Sequence, residues 1–178
     1  MMQLSTFLWI MVVLFAVVGF LRGWTKEIVA TAGIILALFA SWQFSNILIQ
    51  PLISGASGEQ IFFLYTIMLA VISFFAYQTP SQAARLSEGR LWGQRREGLQ
   101  ERLLGTIIGG INGYLIFGSV WYYLEVTRYP LAPFILPPSP GSASAQMVTA
   151  LPLIFLVQNN LLTILVIVLF LFVIIAMI

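Results

Sequence analysis

Arg22, Lys26 and Glu27 stand with Gly23 inside one six-residue stretch between two apolar runs. Such a cluster does one of two things. Inside lipid it lines a path for ions or protons, because an ionisable group in hydrocarbon persists only with a partner and a task. At the membrane surface it is a hairpin turn whose long side chains extend to water. A second cationic set, Arg85, Arg90, Arg95, Arg96 and Arg102, alternates with Glu88, Glu97, Glu101 and several apolar residues. A basic residue near a charged surface contributes about 1 kcal/mol to binding. This stretch is therefore a docking surface for anionic lipid or a partner, or else a solvated topology determinant. The third group makes contacts rather than breaking bonds. Gly105, Gly109 and Gly113 recur at every fourth position, which leaves one helix face almost without side chains and lets another helix approach closely. Asn112 borders that face and needs a hydrogen-bond partner in hydrocarbon. Together these four residues form a packing groove.

The chain has no cysteine, no histidine and no aspartate. The commonest metal ligands, the usual axial ligands of haem and the usual general base are missing with them. The chain is therefore expected to be non-enzymatic and to hold no cofactor by ligation. Carotenoid or lipid tails could still lie on its apolar surface. Glu125 and Arg128 are near enough in sequence to pair, but an exposed pair contributes little.

These residues must be positioned by membrane helices. Of 178 residues, 60% are hydrophobic and 8% charged, against about a quarter charged in soluble domains. The net charge of +2 is too small to suggest nucleic acid. Residues 4–21 form a first apolar run, read as a retained span rather than a cleaved signal. After the short connector 22–27, residues 28–49 form a second span, an antiparallel neighbour of the first. Its Ala30, Gly33, Ala37 and Ser41 make a smooth face that could receive the Gly105 helix. Residues 50–60 read as a turn rich in glycine and proline. Residues 61–77 form the third span and 103–124 the fourth, which ends in the aromatic belt Trp121, Tyr122 and Tyr123. Prolines then interrupt the chain, and residues 146–157 carry Pro152 and suit an interfacial, crossing or re-entrant segment. Residues 161–178 are a fifth, lipid-like span.

The fold expected is thus an all-α membrane protein of five transmembrane helices. Basic residues collect in the first and third connectors, which the positive-inside rule places in the cytoplasm. The N-terminus then lies outside and the C-terminus inside, with the Arg-rich connector between helices three and four cytoplasmic. Three regions follow: a four-helix membrane domain over 1–125, a Pro/Ser-rich extracytoplasmic loop over 126–160, and an added C-terminal helix over 161–178.

Two stretches resemble the colicin V production protein family, CvpA, a group of small bacterial inner-membrane proteins. Gly19-Phe-Leu-Arg22-Gly23-Trp-Thr-Lys26-Glu27 is similar to the family's signature turn, an apolar span running into Arg-Gly and then a basic residue and Glu. Glu101-Arg102-Leu-Leu-Gly105, followed by Gly109 and Gly113, is similar to its entry into a glycine-spaced helix. The resemblance covers residues 4–124. Ser5 stands where the family tends to have Asp, and Asn112 where it commonly has a basic residue. The family's four spans make the fifth helix an addition. The resemblance implies a multi-pass protein of the bacterial inner membrane, involved in colicin export and envelope physiology, without an established enzymatic activity.

Three functions are compatible with these residues. The first is a CvpA-like scaffold or accessory protein acting through helix contacts with other membrane subunits, itself, or lipid. The second is an accessory subunit of a large photosynthetic or respiratory complex, bound through the last helix. The third is a small transporter or export component, ranked last because the spans carry little polar chemistry beyond Asn112.

Overall fold

The computed structural model describes residues 3–44, 55–78 and 98–177, all helix and connecting turn. Helices α1 (Leu4–Arg22), α2 (Trp24–Phe44), α3 (Gly58–Tyr77) and α4 (Leu99–Val126) are each long and apolar enough to cross a membrane. Three shorter helices follow: α5 (Ala143–Val148), α6 (Pro152–Gln158) and α7 (Leu161–Met177). The α5–α6 segment and α7 are bent by 55° and count as a span only together, so the described helices make four spans, or five with that pair. At 17 residues α7 measures about 26 Å, short of a hydrocarbon core of about 30 Å.

Local signals set the ends. Gly23, at φ +81, is the whole break between α1 and α2; a Cβ is strained there, and its N–H closes α1 on the Gly19 carbonyl. The expected connector 22–27 is therefore mostly helix. Ser57 and Gln60 form a reciprocal capping box, so α3 begins within the stretch expected as turn. Helix α4 starts at Leu99, which places Arg102 on its first turns instead of in a hydrophilic connector. Arg85, Arg90, Arg95 and Arg96 lie outside the described residues.

Helix α4 is the axis of the bundle. It packs most extensively on α1 and also contacts α2, α3 and α6. Gly19 meets Gly105 while Phe7 meets Phe117, so α1 and α4 are antiparallel. Gly58 meets Thr127 and Tyr65 meets Tyr123, so α3 also runs against α4. Helices α1 and α2 touch little despite their one-residue link, because each packs on α4 rather than on the other. The expected antiparallel course of the two holds, but they are not extensive neighbours.

The main core joins Ile34, Ala37 and Leu38 of α2 to Phe62, Tyr65 and Leu69 of α3 and to Tyr123 and Leu124 of α4. Residues 146–157 do not lie free on the interface. Leu151, Pro152, Leu153 and Leu156 are buried, and Pro152 seats against Gly118 of α4. Helix α7 adds Leu162 to the core and packs on α2, while most of its other large apolar side chains stay exposed.

Candidate functional site

The glycines decide which helices touch. A Cβ on Gly105 would overlap the Gly19 carbonyl, and one on Gly109 would overlap the Phe15 carbonyl and lie 2.9 Å from the Gly19 Cα. At Gly113 it would lie 2.7 Å from the Phe15 Cβ. The groove therefore receives α1, not the small-residue face of α2. On that face Gly33 abuts Ala76 of α3 instead. The reason is geometric: α1 offers a glycine backbone at the contact, which lets two main chains meet with no side chain between them.

Where α1 gives way to α2, the charged residues separate. Lys26 is exposed, whereas Glu27 is 0% exposed. Arg22 donates from one guanidinium nitrogen to Glu27 Oε1 at 2.7 Å and from the other to the Tyr77 carbonyl at 2.8 Å. Its guanidinium also lies 4.4 Å from the Tyr77 ring centroid, within cation–π range. The Tyr77 hydroxyl donates to Glu27 Oε2 at 3.0 Å. Asn112, also 0% exposed, donates to that same Oε2 at 2.9 Å and to the Glu27 backbone carbonyl at 3.2 Å. Thr31 Oγ1 lies 2.7 Å from Asn112 Oδ1 and 2.8 Å from the Glu27 carbonyl, its single proton within reach of either.

One carboxylate on α2 thus receives donors from α1, α3 and α4. Each charge compensates the burial of the other. Glu27 stands in the first turn of α2, where the helix dipole favours an anion. Arg22 satisfies a C-terminal carbonyl of α3 that has no partner within its own helix.

The remaining sequence candidates lie elsewhere. Gly23 sits beside the Glu101 side chain, and Arg102 lies 5.8 Å from the Phe20 ring centroid. Ser5 is buried and bonded to Ser144 of α5, in a network separate from that of Asn112. Glu125 does not take Arg128; it accepts from the Tyr129 hydroxyl at 2.8 Å, and Tyr129 in turn accepts from Trp121 Nε1 at 3.0 Å. Burial pushes the Tyr129 hydroxyl above the ordinary tyrosine range, and the neighbouring Glu125 adds to that, so it remains a donor.

Sequence reasoning missed Tyr77 and Thr31. Thr31 had a signal, the i to i+4 spacing from Glu27 that places both on one helix face. Tyr77 had none, since a tyrosine ending an apolar span reads as an interfacial residue. Among the described residues no group of three or more Asp, Glu, His or Cys side chains is placed to hold a metal ion.

An all-helical membrane bundle, closed by a glycine seam and a buried carboxylate shared between helices, is the class of protein these features define. The chain matches the family described as Colicin V production protein over residues 4–148, and it belongs to that family. The match takes in the proline-rich loop and α5 as well as the first four helices, beyond the residues 4–124 of the motif resemblance. No curated protein and no solved structure is similar enough to this chain to count as a match.

Proposed function

We propose that this protein is a non-enzymatic scaffold or accessory protein of the bacterial inner membrane that works through helix contacts with other membrane proteins. The observation that carries this reading is the engagement of both Glu27 oxygens by donors from three neighbouring helices. A carboxylate held in this way ties four helices into one body. Along the flanks of the helices many large apolar side chains are left exposed, Trp9, Val13, Phe75, Ile107 and Phe170 among them. Such a surface suits lipid and the transmembrane helices of other proteins.

Glu27 also bears on transport, because a buried ionisable residue in a membrane helix often marks an ion or proton path. Here its oxygens are already occupied by Arg22, Tyr77 and Asn112, so a permeating ion would have to break the bonds that join the helices. That favours a structural use of the charge.

The test is gentle detergent extraction from native membranes, native separation, and mass spectrometry of the band that contains this chain. Migration in fixed ratio with other membrane proteins is expected, and a respiratory or photosynthetic complex in that band would identify the assembly. Migration as a monomer would overturn the accessory reading.

A further inference from the structure

The loop after α4 carries the most exposed large hydrophobic side chain among the described residues, Phe134, at 90%. Its backbone is well tied. The Tyr129 N–H donates to the Leu124 carbonyl at 2.8 Å, and the N–H groups of Phe134 and Ile135 donate to the Leu131 carbonyl at 2.9 and 3.1 Å. Leu131 and Ile135 fold back onto the main core, beside the cluster that holds Tyr123 and Leu124. Phe134 is thus held away from a core that its neighbours join. Leu136 is also exposed.

Depth follows from α4. Its 28 residues span about 42 Å, more than a hydrocarbon core of about 30 Å. If the core begins just beyond Arg102, about twenty residues bring it to Trp121, Tyr122 and Tyr123, the aromatic level where a bilayer meets water. The loop turns back from just past that level, which puts Phe134 at the height of the lipid headgroups. The chemistry agrees: residues 129–178 contain no charged side chain, and Arg128 supplies one exposed cation at the start of the loop. A single protruding ring between prolines is also far smaller than the roughly 800 Å² per partner of a stable protein interface.

We infer that Phe134, with Leu136, inserts into the lipid interface at this end of the bundle and anchors the α4–α5 loop to the membrane. The chain has no native cysteine, so Phe134→Cys, Leu136→Cys and Ser139→Cys each give a unique site for a nitroxide label. The purified full-length variants are reconstituted into vesicles of phosphatidylethanolamine and phosphatidylglycerol. Power saturation then compares collision with oxygen, which enriches in lipid, against collision with a water-soluble nickel chelate. The ratio of oxygen to chelate collisions is expected to be several-fold higher at positions 134 and 136 than at exposed position 139. Low ratios at positions 134 and 136, no higher than a water-exposed site gives, would place the loop in water and overturn the inference. So would shielding of position 134 from both reagents in native membranes but not in vesicles, since that would mean a protein covers it.

Discussion

Glu27 and Arg22 are unequal partners. The carboxylate is fully buried, whereas the Arg22 side chain is 22% exposed and reaches the edge of the bundle. Removing the cation should therefore cost more than removing the anion, because only the first leaves an uncompensated buried charge. Arg22→Gln is expected to destabilise the protein toward the lower end of the ~3–5 kcal/mol seen for broken buried pairs, the partial exposure of Arg22 reducing the effect. Glu27→Gln should cost clearly less, and the double variant should recover part of the loss. Asn112→Leu removes one donor from the same oxygen and should cost about 1–3 kcal/mol. Unfolding in mixed micelles by titration with a denaturing detergent measures all four. Equal costs for Arg22→Gln and Glu27→Gln would mean that Glu27 is not sealed from water.

Among the elements, the α1–α4 seam allows a test with adjacent residues of one type. A Cβ at Gly109 meets backbone, the Phe15 carbonyl and the Gly19 Cα, and backbone has little room to yield. At Gly110 the nearest atoms are the Ala16 Cβ at 3.6 Å and the Val12 Cγ1 at 3.7 Å, ordinary contact distances. Gly109→Ala should push the helices apart and lower stability by about 1–3 kcal/mol, and Gly109→Leu by more. Gly110→Ala should be neutral or raise stability by up to about 1 kcal/mol through helix propensity. Thermal melts of the two alanine variants decide this. A loss of the same size at both positions would show that the seam does not depend on close backbone approach.

For the whole molecule, the directions of α1 to α4 alternate, and the charges predict which end is cytoplasmic. Lys26 lies near the Arg22 end, and Ser139 lies in the loop beyond the far end of α4; both are exposed. Under the positive-inside rule these two ends face opposite compartments. Ser139→Cys should react with a membrane-impermeant maleimide in intact spheroplasts, and Lys26→Cys only after the membrane is opened. The reverse pattern would invert the orientation. Reaction of both from outside would mean that α2, α3 and α4 do not all cross the membrane between these sites.

Composition and run length alone determined that the chain is a helical membrane protein, because lipid leaves few other ways to satisfy the backbone. Residue spacing marked Gly105, Gly109 and Gly113 as a contact face, since a four-residue period is a local property of one helix. Which helix fills that face was decided only in three dimensions: α1 and α2 both carry small residues, and α1 fits because Gly19 brings bare backbone to the contact. The fate of Glu27 was decided there too. A short charged stretch between apolar runs reads the same whether its side chains reach water or turn inward. Only the convergence of Arg22, Tyr77 and Asn112 from three other helices makes a buried carboxylate affordable at that point.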